Sequence, residues 1–190
     1  MGDWLFIRHG ATAGNLAKRY VGRTDEPLCE SGRAALAAHV YPSADLVYVS
    51  PLRRCVETAA LLYPTRAPLP VPDFRETDFG AFEGKNHREL NGDPDYQAWI
   101  DAGGLSTFPD GENPLAFRDR CAAAFAGLCA RHRADDRTIA CVVHGGTIMA
   151  ILERFGRPAR SFYDWQTANG NGYAATLNAD GTLTVTGGLW

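Results

Sequence analysis

Short apolar runs alternate along the chain with longer segments that carry apolar residues at helical spacing. The runs predict strands over 5–7, 46–49 and 139–143, and the longer segments predict helices over 30–40, 52–63, 116–132 and 146–155. This alternation is typical of an α/β domain. We therefore predict a three-layer sandwich, with a mostly parallel central sheet and helices on both of its faces.

The pattern changes near the end of the sequence. Residues 173–177 and 182–185 form two further strand-like runs, and Asn178-Ala179-Asp180-Gly181 between them is a favourable hairpin turn. We therefore expect an antiparallel edge strand on the otherwise parallel sheet.

The stretch 84–112, called the insertion below, interrupts the alternation. Glycine and proline turns break it into short helical pieces, which carry the aromatic residues Tyr96, Trp99 and Phe108. In open α/β folds ligands bind at the carboxyl ends of the strands, so a segment crossing that end can cover a site. We predict a lid-like insertion, with a packed surface loop as the alternative.

Composition limits the classes of function. With 190 residues, 45% of them apolar, the chain is long enough for one sizeable core, so we expect a single domain over 1–190. A net charge of −3 disfavours nucleic acid and anionic membranes as partners, and no apolar run approaches the ~20 residues of a membrane span. Five cysteines without a CxxC pair or an export signal predict reduced thiols and a cytoplasmic protein. A monomer and a homodimer both stay open.

Polar side chains follow all three of the first predicted strands, at the point where each strand ends. They are Arg8-His9-Gly10, Ser50-Pro51-Leu52-Arg53-Arg54 and His144-Gly145-Gly146-Thr147. If the strands are parallel, two imidazoles and two or three guanidiniums meet at one edge of the sheet. A guanidinium binds two phosphate oxygens at once, glycines admit close backbone approach, and helix N-termini add N–H donors. The convergence predicts a phosphate site, although each piece alone is a weak signal.

The motifs RHGATAGN, GRTDEPLCESG, SPLRRCVETA, RETDFGAFEG and VVHGGTI occur in this order between residues 8 and 148. As a set they resemble the histidine phosphatase superfamily, in its phosphoglycerate mutase-like branch. The resemblance implies that His9 accepts the phosphoryl group and that Arg8 and Arg54, rather than Arg53, bind the phosphate.

The same resemblance assigns the other site residues. It places the general acid at Glu76, the second catalytic histidine at His144, and a phosphate-pocket amide at Asn15. Gly145, which follows His144, would add its backbone to the phosphate site.

The chemistry requires these residue types independently of the resemblance. A phosphomonoester dianion repels nucleophiles, and in the absence of a metal-ligand pattern such as HExxH its charge must be offset by arginines, so we expect neither a metal nor a cofactor. An imidazole attacks phosphorus through a neutral nitrogen, so the other ring N–H of His9 should be bonded, for instance to a backbone carbonyl. Glu76 can protonate a leaving group near pH 7 only if its pKa is raised.

Asp78 and Glu83 lie in the same segment as Glu76, and composition does not choose among the three carboxyl groups. The resemblance favours Glu76, with Asp78 as the second choice. His132 lies outside the motifs, and we expect it on the surface.

The insertion is mostly acidic, which disfavours polyanionic substrates. We therefore predict a phosphomonoesterase for a small ester rather than a cofactor-dependent phosphoglycerate mutase. FGAFEG, with Pro-Asp-Gly-Glu ahead of Phe117-Arg118-Asp119-Arg120, is most similar to α-ribazole phosphatases and implies α-ribazole 5′-phosphate as a substrate. A non-catalytic phosphate-binding module is a further alternative, disfavoured because all five expected catalytic side chains are present.

Overall fold

The computed structural model describes residues 2–134 and 136–189. In this part of the chain the strands are β1 (Asp3–Arg8), β2 (Leu46–Val49), β3 (Leu69–Pro70), β4 (Ile139–Val143), β5 (Gly156–Arg157), β6 (Gly172–Leu177) and β7 (Leu183–Gly188). The α-helices are α1 (Ala13–Leu16), α2 (Glu30–Ala37), α3 (Arg53–Leu62), α4 (Pro94–Asp101), α5 (Pro114–Arg131) and α6 (Gly145–Phe155). None of these helices is long and apolar enough to cross a membrane.

The strands form one sheet in the order β3-β2-β4-β1-β6-β7-β5. Strands β1, β2, β3 and β4 pair in parallel, whereas β6 runs antiparallel to both β1 and β7. The prediction of an α/β fold with a mostly parallel sheet and an antiparallel side is confirmed. The hairpin β6–β7 is not the outermost element, since the two-residue strand β5 pairs in parallel with β7 beyond it.

The sheet is covered on both faces, because successive side chains of a strand point to opposite sides. Trp4 and Phe6 of β1 pack with residues of α5 and α6, including Phe125. Leu5 and Ile7 of the same strand pack in a second core with residues of α3. These two cores are the two interlayer spaces of the predicted sandwich.

Helix α5 illustrates how local chemistry sets a boundary. It begins at Pro114, two residues before the predicted start, because the side chain of Asn113 accepts hydrogen bonds from the amides of Leu115 (2.9 Å) and Ala116 (3.2 Å). Proline is suited to the first helical position, where its missing N–H needs no partner.

His132 follows the last residue of α5 and was expected on the surface. That prediction is wrong: the imidazole is only 7% exposed and lies 2.8 Å from the hydroxyl of Tyr48. A buried polar partner on a strand explains why the ring is drawn into the core.

The insertion contains α4 and a small aromatic core of its own. Tyr96 and Phe108 are buried there against Phe82, which lies just ahead of the insertion, and Trp99 stacks on Phe108 with ring centroids 5.1 Å apart. Its base is fixed to the loop after α1, since the amide of Gly84 donates to the carbonyl of Tyr20 at 2.9 Å.

The ends of the insertion meet at a stem, formed by 78–81 on one side and 109–112 on the other. The amide of Ala81 donates to the carbonyl of Pro109 (2.8 Å), and that of Glu112 donates to the carbonyl of Asp78 (2.9 Å). The insertion is therefore closed at its base by backbone hydrogen bonds.

Candidate active site

The carboxyl ends of β1, β2 and β4 bring three distant stretches of sequence together. The rings of His9 and His144 lie edge to face with centroids 5.2 Å apart. Arg54 Nε lies 3.3 Å from Nδ1 of His144. The convergence expected from the parallel strands is therefore present in the structure.

His9 is held with one nitrogen occupied. Its Nδ1 is 2.7 Å from the carbonyl oxygen of Gly10, so Nδ1 carries the proton and Nε2 is left with a free lone pair. The side chain is 3% exposed, and burial, followed by the nearby charge of Arg54, holds the pKa of His9 well below its usual value. The ring is therefore neutral near pH 7, which is the form that can act as a nucleophile.

Arg54 lies inside the protein, whereas Arg53 lies outside. The guanidinium of Arg54 is fully buried and donates to the backbone carbonyls of Val21 (3.3 Å), Gly22 (2.9 Å) and Thr24 (2.8 Å). Arg53 is exposed and pairs with a surface carboxylate. Of the two neighbouring arginines, only Arg54 thus contributes its charge to the cluster.

Arg8 lies at the end of β1 beside the first turn of α6. Its Nη1 donates to the carbonyl of Thr167 at 2.6 Å, but its buried Nε has no hydrogen-bond partner among the described residues. Gly145 lies directly against it, so that a Cβ there would be 3.3 Å from Nε. An unpaired buried N–H beside a helix N-terminus is suited to an anion.

Asn15 closes the same region from α1. Its side-chain oxygen accepts from the amide of Thr12 (3.2 Å) and from Nδ2 of Asn169 (3.1 Å). Because the oxygen is occupied by two donors, the orientation of the amide group is fixed.

His144 is oriented by two side chains. Arg54 can only donate, so Nδ1 of His144 is an acceptor and Nε2 carries the proton, which is donated to Oγ of Ser50 at 2.7 Å. Burial and the nearby charge of Arg54 lower the pKa of His144 well below its usual value. Both ring nitrogens are thus bonded within the protein, and in this geometry the ring orients Arg54.

Glu76 faces the cluster from the segment ahead of the insertion. One of its oxygens accepts from the amide of Thr77 (3.0 Å) and the other lies 3.4 Å from the amide of Gly146 in α6. A Cβ at position 146 would overlap the carboxylate, so the close approach requires glycine. Burial raises the pKa of Glu76, partly offset by these hydrogen bonds and by the charges of Arg54 and Arg8.

The two alternative acids are engaged elsewhere. Asp78 accepts from the amide of Gly80 (2.9 Å) and pairs with Arg23 at 3.2 Å. Glu83 binds the backbone of the loop at 22–24, and neither side chain lines the cavity described next. The structure therefore brings Glu76, and not Asp78 or Glu83, to the cluster.

A cavity of about 570 Å³ opens over this cluster. Its polar end is lined by Arg8, Asn15, Glu76 and Gly145. The buried residues His9 and His144 are the chain neighbours of Arg8 and Gly145. Aromatic side chains form much of the wall: Tyr20, Phe79, Trp99, Phe108, Phe117, Phe162 and Tyr163.

Among the described residues, no acidic side chain of the insertion lines this cavity. The charge of these side chains was the argument given above against polyanionic substrates. Glu89, for example, pairs with Arg19 at 2.8 Å. Lys18, Arg19 and Arg118 line the cavity instead. The charge of the insertion therefore gives no information about the substrate.

Residues 4–186 match the model of the histidine phosphatase superfamily (branch 1). The chain belongs to this superfamily. Over 185 residues it is 31% identical to the adenosylcobalamin/α-ribazole phosphatase of Escherichia coli K12. This alignment covers 92% of this chain and 89% of the relative.

Solved structures of two phosphatases share the fold. The α-ribazole phosphatase of Shigella flexneri superposes with a TM-score of 0.81 at 27% identity, covering 96% of this chain and 94% of that one. The phosphoserine phosphatase of Entamoeba histolytica, in complex with 3-phosphoglyceric acid, gives 0.81 at 25% identity, covering 100% and 98%. This histidine phosphatase is therefore an enzyme of the phosphatase class.

Ser50 and Glu83 make contacts that the sequence reasoning missed. Ser50 lies in the SPLRR motif and is fully buried against His144. Its position directly after β2 was a usable signal, since a serine at a strand end beside buried histidines is placed to fix a tautomer. Glu83 was considered only as an acid.

Proposed function

We propose that this histidine phosphatase is a metal-independent phosphomonoesterase that acts through a phosphohistidine on His9. The observation that carries the proposal is the state of His9: its Nδ1 is bonded to Gly10, its pKa is lowered by burial and by Arg54, and it directly follows Arg8, which lines the cavity. A neutral nucleophile among fixed cations is what attack on a phosphate dianion requires.

In the first step Nε2 of His9 attacks phosphorus and the bond from phosphorus to the ester oxygen breaks. Arg8 and Arg54 offset the charge on the phosphoryl oxygens, while the amide of Gly145 at the helix N-terminus and the Asn15 amide supply further donors. Glu76, whose raised pKa keeps it protonated to higher pH than an ordinary carboxyl group, gives its proton to the leaving oxygen.

In the second step a water molecule attacks the phosphohistidine. Glu76, now a carboxylate, accepts the proton of this water, the P–N bond breaks, and inorganic phosphate leaves. His9 returns to its neutral form and Glu76 to its acid form, so the cycle closes without net consumption of protons by the enzyme. His144, bonded to Ser50 and Arg54, keeps the Arg54 guanidinium oriented in both steps.

For the substrate we propose a phosphate ester with an aromatic remainder, with α-ribazole 5′-phosphate as the first candidate. The aromatic wall of the cavity offers faces on which a planar ring can stack. Two of the similar proteins named above are α-ribazole phosphatases, which supports this choice.

The test is a phosphate-release screen in the presence of excess EDTA. The esters are α-ribazole 5′-phosphate, phosphoserine, 3-phosphoglycerate, sugar phosphates and nucleoside monophosphates, with bisphosphoglycerate-dependent mutase activity assayed in parallel. We expect kcat/KM above ~10⁴ M⁻¹s⁻¹ for α-ribazole 5′-phosphate. Uniformly slow hydrolysis would remove this substrate but keep the phosphohistidine chemistry, whereas dependence on Mg²⁺ or binding without turnover would remove the chemistry.

A further inference from the structure

Glu83 receives hydrogen bonds from two separate segments. Its carboxylate accepts from the amides of Gly22 (3.0 Å) and Arg23 (2.8 Å) and from the hydroxyl of Thr24 (2.7 Å). It also accepts from the amide of Phe79 at 3.3 Å. Four donors on one carboxylate are more than a solvated surface acid requires.

Gly22 and Thr24, which donate hydrogen bonds to Glu83, also accept hydrogen bonds from Arg54. Gly22 gives its amide to Glu83 and its carbonyl to Arg54 at 2.9 Å. Thr24 gives its hydroxyl to Glu83 and its carbonyl to Arg54 at 2.8 Å. The loop 22–24 is thus hydrogen-bonded to the carboxylate of Glu83 on one side and to the buried guanidinium of Arg54 on the other, and these two groups do not contact each other.

The bond to Phe79 connects this loop with the segment that carries Glu76. The two segments are in direct contact, because a Cβ on Gly22 would overlap the carbonyl oxygen of Thr77. The loop 22–24 is therefore packed on this segment as well as bonded to Glu83, whereas the carboxylate of Glu76 has its own hydrogen bonds to Thr77 and Gly146.

We infer that Glu83 is a positioning residue for the phosphate site, acting through the loop 22–24 on Arg54. The inference rests on the proposed function only in that Arg54 must bind the phosphoryl group. Glu83 itself does not line the cavity and touches no reacting atom.

Replacing the carboxylate by an amide tests this role. Glu83→Gln keeps the shape but turns one acceptor oxygen into a donor, which faces the N–H groups of the loop and loosens it. We expect kcat/KM to fall roughly 10- to 100-fold, since small misplacements of a catalytic group cost about that much. The loss should be equal for p-nitrophenyl phosphate and for an alkyl phosphate, because Glu83 does not transfer the proton.

A double-mutant cycle separates positioning from general damage to the fold. If Glu83 acts through Arg54, Glu83→Gln should cost less than about threefold in an Arg54→Lys background. Asp78→Asn is the matched control: it removes a neighbouring carboxylate that contacts Arg23 and Gly80 but not the amides of the loop, and wild-type kinetics are expected.

Binding of orthovanadate, measured by calorimetry, gives a readout that does not depend on turnover, and thermal unfolding shows that each variant is folded. Weaker vanadate binding by folded Glu83→Gln, absent from Asp78→Asn, supports the inference. Unchanged binding and kinetics, or a full loss repeated in the Arg54→Lys background, would overturn it while leaving the phosphatase proposal intact. A wild-type protein that neither hydrolyses esters nor binds vanadate would remove both.

Discussion

His9 and Glu76 have pKa values that burial moves in opposite directions. Burial disfavours whichever form is charged, so the imidazole stays neutral and the carboxyl group holds its proton to higher pH. The same low-polarity environment thus prepares a nucleophile and an acid at one pH. Titratable groups whose pKa values are pushed apart in this way are typical of sites in which one group attacks and the other transfers a proton.

Glu76→Gln should remove the alkaline limb of the pH profile. In the wild type kcat/KM should fall as pH rises through the raised pKa of Glu76, because the free enzyme then lacks its acid. The variant should also lose about 10²- to 10⁴-fold on alkyl phosphates but far less on p-nitrophenyl phosphate, whose leaving group needs little protonation. Equal losses on the two esters would place the acid elsewhere, and Asp78→Asn would then be measured first.

His9→Asn should abolish turnover and covalent labelling. The variant keeps a polar side chain of similar reach but has no imidazole nitrogen to form a P–N bond. Enzyme incubated with an ester carrying ³²P and quenched in alkaline detergent, which preserves a P–N bond, should show label on the wild type and on the exposed-histidine control His87→Asn. Label retained by His9→Asn would refute the assignment of the nucleophile.

The sequence carried the residue identities of the site but not all of their contacts. Arg54 was separated from Arg53 only through family resemblance, since periodicity places both near the start of one helix. His132 was misjudged and the role of Ser50 was missed for the same physical reason: whether a polar side chain is buried depends on a partner from a distant strand or helix, which local sequence does not specify.

Trp99 of helix α4 lines the cavity together with the neighbouring aromatic residues Tyr20, Phe79 and Phe108. Trp99 is the member most suited to stacking, because it lines the cavity and is itself backed by Tyr96 and Phe108 on parallel planes. The insertion therefore supplies part of the cavity wall and none of the expected catalytic groups. Whether it moves as a lid stays a prediction.

Trp99→Leu should lower kcat/KM only for esters that carry an aromatic ring. A lost stacking contact is worth about 0.5–1.5 kcal/mol, so kcat/KM for α-ribazole 5′-phosphate should fall roughly 2- to 10-fold. Leucine preserves an apolar side chain in the small core, and phosphoserine, which has no ring, should be turned over at an unchanged rate. A parallel loss on phosphoserine would show that the substitution disturbs the site as a whole.

The positions of strands and helices were predictable because burial of one face makes apolar residues recur at a fixed spacing. The boundaries of these elements were less predictable. The start of α5 is set by the side chain of Asn113, and the end of α2 falls three residues before the predicted one. The two-residue strands β3 and β5 are too short to carry a period, so they arise from tertiary pairing alone.

Stability of the whole molecule should fall with acid. His9 and His144 are buried with folded-state pKa values well below the ~6.5 of an unfolded chain, so the unfolded state takes up protons first. The contribution of the two neutral rings to the free energy of unfolding is complete above pH 6.5. Below that pH it is lost by about 1.4 kcal/mol per pH unit for each ring. Glu76 acts in the opposite sense, since its raised pKa favours the folded state at low pH and this contribution disappears as pH rises through it.

Urea unfolding at pH 7.5, 6.0 and 5.0 measures this dependence. The free energy of unfolding should drop across the series for the wild type and for His87→Asn, whose histidine is exposed. His144→Asn should show a shallower decline, whatever its stability at pH 7.5. A slope identical to that of the wild type would mean that the His144 ring is protonated in the folded protein.

The closed stem of the insertion has a consequence for how new specificities arise. Because 78–81 and 109–112 are hydrogen-bonded to each other, the span between them can be exchanged for one of another length at little cost in chain entropy. The expected nucleophile, arginines and acid all lie outside that span. Recombination or loop grafting between the two halves of the stem that retains Glu83 can therefore retarget the enzyme to a different ester while inheriting its reaction unchanged.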